Sequence, residues 1–396
     1  MKTKIILLPA LLLLLNACSK SDDDPQEYIP VDPYPAVTAA FGDNIDLGNL
    51  VNYANQPIPV YITKDNTVGN PITDKGATLG RILFYDKNLS ATNSISCSSC
   101  HIQYNAFGDA TESSQGVNGG TARHAMRLIN SRFAVERKFF WDERAASLEL
   151  QTTQPIQNHI EMGFSGTNGD GNMTDLLAKL QNITYYQELF TFVYGDNEVT
   201  ETRIQNALAQ FVRSIQSFDS KYDAGRATVN NDGQPFPNFT PQENQGKNLF
   251  LSPPQFSATG SRTGGGLGCA GCHAAPEFDI APNSGNNGII GTLGNLALLD
   301  ITNTRAPSLR NIVRANGGIN GPFMHTALPT LQAVIDHYNN ITIAAGNTNL
   351  DPKLRPNGFG QKLNITPDEN AALIAFILTL DGADVYTNAK WSSPFN

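Results

Sequence analysis

The stretch Cys97-Ser98-Ser99-Cys100-His101 decides how the rest of this chain is interpreted. It follows the pattern Cys-x-x-Cys-His, in which two thiols bond covalently to the vinyl groups of a haem and the histidine binds the iron. The spacing suits this chemistry because a short turn of chain must place two sulfurs at the porphyrin edge and an imidazole on its axis. The pattern returns at Cys269-Ala270-Gly271-Cys272-His273. Two matches among five cysteines predict two covalently bound haem c groups.

The N-terminus has the pattern of an export signal. A short basic region precedes the apolar run 5–15, which is too short to span a bilayer as an ordinary helix. A small residue then stands directly before Cys18, which indicates a signal peptide over 1–17 and a lipidated N-terminus on Cys18. A plain signal peptide that ends near a cysteine is the alternative. We therefore expect an exported periplasmic or cell-surface lipoprotein, anchored to the membrane, with 18–70 as tether and N-terminal arm.

Cysteine use and charge narrow the function classes. Four cysteines serve the haems and Cys18 serves the lipid, so no cysteine remains for a disulfide. The formal net charge is -9, and removal of 1–17 takes away Lys2 and Lys4 and no acid, which makes it -11. This acidic balance argues against a nucleic-acid surface and is compatible with a basic redox partner.

Helical patterning and an internal repeat predict the fold. Gly80-Arg81-Ile82-Leu83-Phe84 precedes the first haem motif, and Gly246-Lys247-Asn248-Leu249-Phe250 precedes the second. Amphipathic patterns predict helices over about 174–193 and 201–218, whereas strand-like patterning is scarce. We expect a mostly α fold of two cytochrome c-like helical domains, each with one covalent haem, long loops and little strand.

A segment rich in Gly, Asn and Pro at 223–239 predicts the break between the two domains. Thr240-Pro241-Gln242-Glu243 then opens a helix, with a capping residue, a proline at the first position and a glutamate three residues after the cap. Thr366-Pro367-Asp368-Glu369 repeats this pattern before the last helix. We place the domain of the first haem at 71–225 and the domain of the second haem at 226–396.

Taken together, these motifs resemble the bacterial di-haem cytochrome c peroxidases and their relative MauG. The resemblance covers about 74–380, nearly the whole chain after the predicted signal peptide and tether. The stretches that carry it are Leu79-Gly80-Arg81-Ile82-Leu83-Phe84-Tyr85-Asp86 with Leu89-Ser90, both haem motifs, Trp141-Asp142-Glu143-Arg144, Gln151, Pro155, Glu161-Met162-Gly163, Pro307-Ser308-Leu309-Arg310-Asn311 and Phe323-Met324-His325.

The resemblance implies that the first haem reacts with peroxide and has His101 as its proximal ligand. It implies that Glu161 is the distal acid–base. The chemistry needs such a group, because peroxide must lose a proton and the departing oxygen must receive one. Gln151 and Pro155 would line the same pocket. A solvated surface acid is the alternative for Glu161.

The sixth ligand of the first haem departs from part of the family. Many members carry a histidine ligand about fifteen residues after the first haem histidine. The loop 113–119 contains no histidine here, and its Val117 has no atom that binds iron. We therefore predict a first haem that is five-coordinate at rest and needs no prior reduction, with His124 as the alternative ligand.

The resemblance implies that the second haem transfers electrons and has His273 as its proximal ligand. The family's distal methionine position falls on Tyr338, where MauG has a tyrosine. A phenolate is a hard anionic donor that would stabilise Fe(III) and lower the potential relative to methionine. Met324, His325 and His337 are the alternative ligands.

Two further features follow from the resemblance alone. Trp141 matches the family's inter-haem tryptophan, whose indole is suited to relay electrons, and it can equally be a buried tryptophan packed between domains. The family also binds calcium between the domains. Asn320 and Pro322 could offer oxygens, which calcium prefers, whereas His124 stands at the position of the family's asparagine ligand.

The predicted function is haem peroxidase activity, the reduction of hydrogen peroxide with electrons from a small donor protein such as a cytochrome c or a cupredoxin-like protein. A MauG-like oxidase of a protein or organic substrate is the second hypothesis, favoured by Val117 and Tyr338. A non-enzymatic di-haem electron carrier is the third, opposed by Glu161. A zinc protein is the fourth, opposed by the histidine after each cysteine pair. Members of the family often dimerise, so the resemblance also implies a homodimer.

Overall fold

The computed structural model describes residues 32–135, 137–280, 283–314 and 316–395. Helices make up most of the regular structure in these residues, and their strands form only two-stranded antiparallel pairs, which confirms the expected mostly α fold. The helices are α1 (Pro35–Phe41), α2 (Asp74–Tyr85), α3 (Cys97–Cys100), α4 (Leu148–Thr152), α5 (Met173–Gln181), α6 (Thr184–Tyr194), α7 (Glu201–Ser214), α8 (Lys221–Arg226), α9 (Pro241–Leu251), α10 (Leu331–Asn339) and α11 (Pro367–Leu378). The strand pairs are β1 (Gln115–Gly116) with β2 (Gly119–Gly120), β3 (Pro254–Phe256) with β4 (Arg262–Gly265), and β5 (His273–Ala274) with β6 (Asp279–Ile280).

The internal repeat is a pair of helices that cross at a glycine. In the first half, α2 packs on α7, and a Cβ added at Gly80 would lie 2.0 Å from the carbonyl oxygen of Ala207. In the second half, α9 packs on α11, and a Cβ at Gly246 would lie 1.8 Å from the carbonyl oxygen of Ala372. Only glycine allows the two backbones to approach this closely. The repeated glycine therefore allows the same close contact between two helices in each half.

Gly246→Ala should lower the free energy of unfolding by about 3 kcal/mol, because the new methyl group must push α9 away from the backbone of α11. The urea midpoint of the holoprotein measures this change. Gly264→Ala is the matched control. Its Cβ would lie 3.3 Å from the flexible end of Gln255, so we expect a change within about 0.5 kcal/mol. Equal urea midpoints for both variants would show that α9 and α11 can move apart without loss of stability.

Each half has its own hydrophobic cluster. The first is built on α2 and α7 and contains Phe84 and Phe211, whose ring centroids are 5.2 Å apart. The second is built on α9 and α11 and contains Phe250 and Phe376, also 5.2 Å apart. Burial of such aromatic side chains is the main favourable contribution to folding in each half. The boundary predicted between 225 and 226 remains a prediction.

The C-terminal segment returns to the first half, which the sequence did not indicate. Val385 and Trp391 belong to the first hydrophobic cluster. Tyr85 donates its hydroxyl to the carbonyl of Trp391 at 2.6 Å, and Arg81 donates Nε to the carbonyl of Ser392 at 2.7 Å. These contacts tie α2 to residues far along the chain.

Two predicted helices are shorter than expected. The helix predicted over 174–193 is two helices, α5 and α6, because Asn182 ends the first and donates its side-chain amide to the carbonyl of Ala178 at 2.9 Å. Asparagine competes with the helix backbone in this way and favours helix ends. The helix predicted to reach residue 218 ends at Ser214, and Ile215 is extended. The capping boxes at Thr240 and Thr366 are both confirmed.

No helix among the described residues is long and apolar enough to cross a membrane. The predicted signal peptide and Cys18 lie outside the described residues.

Candidate active site

Each haem motif opens into a cavity of cofactor size. The first cavity, of about 550 Å³, is lined by Cys100 and His101 among others. The second, of about 580 Å³, is lined by Cys269, Cys272 and His273. Both volumes fall within the range of about 300–1,000 Å³ that is typical of ligand and cofactor sites. All four cysteines of the motifs are free thiols, which are the groups that covalent haem attachment consumes.

The motif histidines have the protonation state that an iron ligand needs. His101 Nδ1 lies 3.2 Å from the carbonyl oxygen of Phe107 and donates to it, which leaves the Nε2 lone pair for a metal. Ala106 and Phe107 have left-handed backbone angles, with φ of 58° and 57°, at the turn that brings this carbonyl back to the imidazole. Burial lowers the pKa of His101, and it lowers the pKa of His273 to about 4. Both imidazoles are therefore neutral at pH 7, and the residues fit a haem.

Glu161 lines the first cavity together with His101. Burial raises the pKa of its carboxyl, and the charge of Arg144 opposes that rise. The pKa values of both Cys97 and Cys100 are raised, mainly by burial and in part by the charge of Glu161. The carboxyl therefore lies within electrostatic reach of both attachment cysteines. A partly desolvated carboxyl of this kind can hold and release a proton at a higher pH than an exposed glutamate does.

Local hydrogen bonds fix the backbone of Glu161. The side-chain oxygen of Asn158 accepts the Glu161 amide at 3.2 Å, and the Glu161 carbonyl accepts the Val117 amide at 3.0 Å. Gln151, in α4, and Pro155, in the turns after it, line the same cavity. The structure thus brings the three residues expected around the first haem into one pocket.

The loop predicted to lack a sixth ligand is the β1–β2 hairpin. Val117 lies in its turn, and its Cγ2 packs against Gly163, where an added Cβ would be 2.9 Å away. The alternative ligand, His124, is 2% exposed and lines both cavities. Its Nδ1 lies 3.0 Å from the carbonyl oxygen of Thr111, and its Nε2 is buried without a hydrogen-bond partner in the described parts of the chain. The five-coordinate first haem remains a prediction, with His124 as its alternative.

Tyr338 and Met324 both line the second cavity. Burial raises the pKa of the Tyr338 phenol, the charges of Cys272 and Cys269 raise it further, and a hydrogen bond from Asn287 opposes the rise. The Asn287 amide also donates to the Met324 sulfur at 3.4 Å. The phenol is therefore close to both attachment cysteines, much as Glu161 is in the first cavity.

The other two candidate ligands of the second haem each have one ring nitrogen in contact with a backbone carbonyl. His337 Nε2 lies 2.8 Å from the carbonyl oxygen of Asn287, and His337 is not among the residues that line the second cavity. His325 lines the cavity, but its Nε2 lies 3.0 Å from the carbonyl oxygen of Gly291. The cavity lining thus disfavours His337, whereas His325 stays an alternative to Tyr338 and Met324, because an Nε2 that donates to a carbonyl leaves the Nδ1 lone pair for a metal.

Trp141 lines both cavities. Its indole nitrogen donates to the carbonyl of His124 at 2.8 Å, and its own carbonyl accepts the amides of Thr304 and Arg305 at 2.9 and 3.0 Å. Its ring centroid is 5.9 Å from that of His325. Trp141 is therefore held by residues of both halves, as expected for a side chain between two haem sites.

The expected calcium ligands lie beside an arginine. The carbonyl of Asn320 accepts Nη2 of Arg127 at 2.7 Å, and the carbonyl of Gly321 accepts it at 3.2 Å. In the part of the chain that the structure describes, no group of three or more His, Cys, Asp or Glu residues could hold a metal ion. A guanidinium thus already uses the oxygens near Pro322, and calcium remains a prediction only.

Sequence reasoning missed three residues at these sites. The Phe107 carbonyl orients His101, Asn287 contacts both candidate ligands of the second haem, and Arg127 lines both cavities. Only Arg127 left a signal in the sequence, because it is a lone charge in the otherwise uncharged stretch 124–130.

Comparisons with known proteins agree with this geometry. The family model for di-haem cytochrome c peroxidase matches residues 74–230. The chain is 29% identical to the methylamine utilization protein MauG of Methylophilus methylotrophus over 323 aligned residues. The alignment covers 80% of this chain and 85% of that protein. The chain belongs to the di-haem cytochrome c peroxidase and MauG family. It is also 27% identical to the cytochrome c551 peroxidase of Nitrosomonas europaea, over 77% of this chain and 80% of that protein.

Solved structures of the family share the fold. A MauG-like protein associated with microbial copper homeostasis superposes with a TM-score of 0.65 at 28% identity, over 86% of this chain and 99% of that one. The di-haem peroxidase BthA from Burkholderia thailandensis superposes with a TM-score of 0.60 at 20% identity, over 87% and 96% of the two chains. The second likeness concerns the fold alone. These comparisons confirm the predicted family. Haem is the cofactor of that family.

Proposed function

We propose that this protein reduces hydrogen peroxide to water at its first haem, with electrons from a small donor protein such as a monohaem cytochrome c. Family membership makes it an oxidoreductase of the haem peroxidase class. The observation that carries the proposal is the half-buried carboxyl of Glu161 in the cavity of His101. The residues that would hold the two haems covalently are Cys97, Cys100 and His101 for the first and Cys269, Cys272 and His273 for the second.

Glu161 moves the protons of the reaction. A bound haem supplies the redox chemistry that splits the O–O bond, and the protein supplies position, protons and a dry pocket. The Glu161 carboxylate takes a proton from peroxide and returns it to the oxygen that leaves as water. In balance, one hydrogen peroxide, two electrons and two protons give two waters. Gln151 and Pro155 line the pocket in which this proton transfer takes place.

Electrons would enter at the second cavity and reach the first past Trp141. This side chain lines both cavities, and backbone hydrogen bonds hold it at both ends. Tyr338 is the proposed distal ligand of the second haem, and Met324 is the alternative in the same cavity. A rigid aromatic side chain in this position supports a relay role as well as packing.

The finer parts of the proposal concern architecture and location. We propose one covalent haem c in each of two cytochrome c-like domains, at 71–225 and 226–396. Export is supported by the signal pattern over 1–17, and a lipid on Cys18 would anchor the protein to the membrane. The homodimer stays an expectation from the family resemblance.

A turnover measurement tests the proposed function. Purified holoprotein is mixed with reduced monohaem cytochrome c and hydrogen peroxide, with omission of peroxide as the control. The proposal expects two cytochromes oxidised for each peroxide consumed. Peroxide consumption without cytochrome oxidation would contradict it, and so would the absence of both.

A MauG-like oxidase is the second candidate function. It is favoured by Tyr338 in the second cavity and by the lack of a histidine in the β1–β2 hairpin. Relatives named MauG and relatives named cytochrome c peroxidase match this chain over similar lengths. In the same mixture, oxidation of an added organic or protein substrate with the cytochrome left reduced would favour this candidate.

A further inference from the structure

Arg127 places a half-buried guanidinium where the two cavities meet. It is among the residues that line both of them. Nη2 donates to the carbonyls of Asn320 and Gly321, and the guanidinium carbon lies 5.9 Å from the ring centroid of Phe323. Nε is buried and has no hydrogen-bond partner among the described residues. The loop that follows the first haem motif therefore brings a cation into the centre of the molecule.

This cation lacks a carboxylate partner. No ion pair joins Arg127 to an Asp or Glu of the described chain, and only neutral carbonyls accept its hydrogen bonds. Burial lowers the pKa of Arg127 to about 10, which leaves the side chain charged at pH 7. A charge that is partly withdrawn from water and has no counter-charge is unfavourable. Such a group indicates that an anion belongs beside it.

The neighbouring groups do not share this property. Arg305 also lines both cavities, but its guanidinium lies 4.0 Å from a carboxylate oxygen of Asp279. His124 lines both cavities as well. Its Nδ1 donates to Thr111, so its neutral imidazole presents a lone pair at Nε2 and repels a carboxylate. Arg127 is therefore the cation at this junction without a matching anion in the described residues.

We propose that Arg127 binds a propionate carboxylate of a haem and acts as its counter-ion between the two haem sites. This inference rests on the proposed function, because it requires haem in the cavities. Each haem carries two propionates, and the planar guanidinium fork matches a carboxylate better than any other side chain does. Among the described residues, the hydrogen bonds of this guanidinium to Asn320 and Gly321 use Nη2 alone, so its other donors remain for this contact.

The contact has a consequence for electron transfer. A positive charge close to a haem stabilises the reduced iron, and it also cancels the charge of a propionate that would oppose reduction. Arg127 is therefore a positioning and tuning residue rather than a catalytic one. Its loss should lower the reduction potential of at least one haem and leave covalent attachment intact.

The test is a redox titration of holoproteins followed by absorbance. We expect Arg127→Met to lower the ratio of reduced to oxidised haem at the wild-type midpoint by about tenfold, which corresponds to 59 mV for one electron. Arg127→Lys keeps the charge and should recover most of the shift. Arg132→Met is the matched control, because Arg132 pairs with Asp65 and lines neither cavity. It should leave both potentials unchanged.

Two results would overturn the inference: unchanged potentials in Arg127→Met, or equal losses in Arg127→Met and Arg127→Lys. If Arg127→Met gives no holoprotein, Arg127→Gln takes its place against Arg127→Lys, with the same criteria. Haem content per chain of the wild-type protein separates the two proposals. Fewer than two haems would contradict the proposed function, whereas two haems with potentials insensitive to Arg127 would contradict only the counter-ion.

Discussion

Glu161→Gln should lower peroxide turnover by about 10²–10⁴-fold and leave both haems attached. Glutamine keeps the shape and polarity of the side chain but cannot exchange a proton at neutral pH. Three acids line the first cavity, Asp142, Glu161 and Asp279. Asp142 and Asp279 each lie within 4.0 Å of an arginine, whereas no ion pair joins Glu161 to another described residue. The measurement is steady-state oxidation of the donor cytochrome at saturating peroxide, with haem content determined on the same sample.

The pH dependence gives the same prediction a second readout. The base form of Glu161 takes the proton from peroxide, so activity should fall as the pH drops through the pKa of this carboxyl. Burial raises that pKa above the 4.5 of an exposed glutamate, so the fall should begin at a higher pH than for a solvated acid. In Glu161→Gln this acid limb should be absent.

A surface carboxyl provides the control. Glu198 is exposed, and its backbone carbonyl rather than its side chain accepts Arg203. Glu198→Gln should therefore keep the wild-type rate and the wild-type pH profile. Equal rates for Glu161→Gln and Glu198→Gln would remove the acid–base role from Glu161.

Tyr338→Phe should change the absorption and EPR spectra of the second haem, because it removes the proposed ligand oxygen and keeps the ring. Loss of an anionic ligand also destabilises Fe(III), so the reduction potential of that haem should rise. Tyr338→Met supplies a neutral sulfur ligand and should raise the potential in the same direction. Redox titration with spectra recorded at each step measures both effects.

An exposed tyrosine is the control for this change. Tyr104 is 65% exposed, and Tyr104→Phe should leave both haem spectra as they are. If Tyr338→Phe is equally silent, Tyr338 is not a ligand. A changed spectrum in Met324→Ala would then assign the position to the sulfur that lies in the same cavity.

Much of the fold was predictable because haem attachment imposes strict local rules. Two Cys-x-x-Cys-His motifs and the repeated glycine before each of them indicated two similar helical halves. The close approaches at Gly80 and Gly246 give a physical reason for that repeat, which the sequence alone did not supply. The capping boxes were equally predictable from the sequence, since their hydrogen bonds join residues only three positions apart.

Long-range contacts were not predictable from local patterns. Trp391 packs in the first cluster although it lies about 300 positions from α2, and nothing in its neighbourhood indicates that partner. Arg127 and Asn287 have roles that depend on which carbonyls, sulfurs and cavities the fold brings beside them. The separation of α5 from α6 at Asn182 was missed because helical periodicity continues on both sides of this residue.

The central claim is that the first haem is open to peroxide and that the second haem supplies the first with electrons. The most direct measurement is the EPR spectrum of the oxidised holoprotein before and after addition of hydrogen peroxide. We predict a high-spin Fe(III) signal from the first haem and a low-spin signal from the second, with loss of the high-spin signal on addition of peroxide. Two low-spin signals that peroxide leaves unchanged would contradict the account.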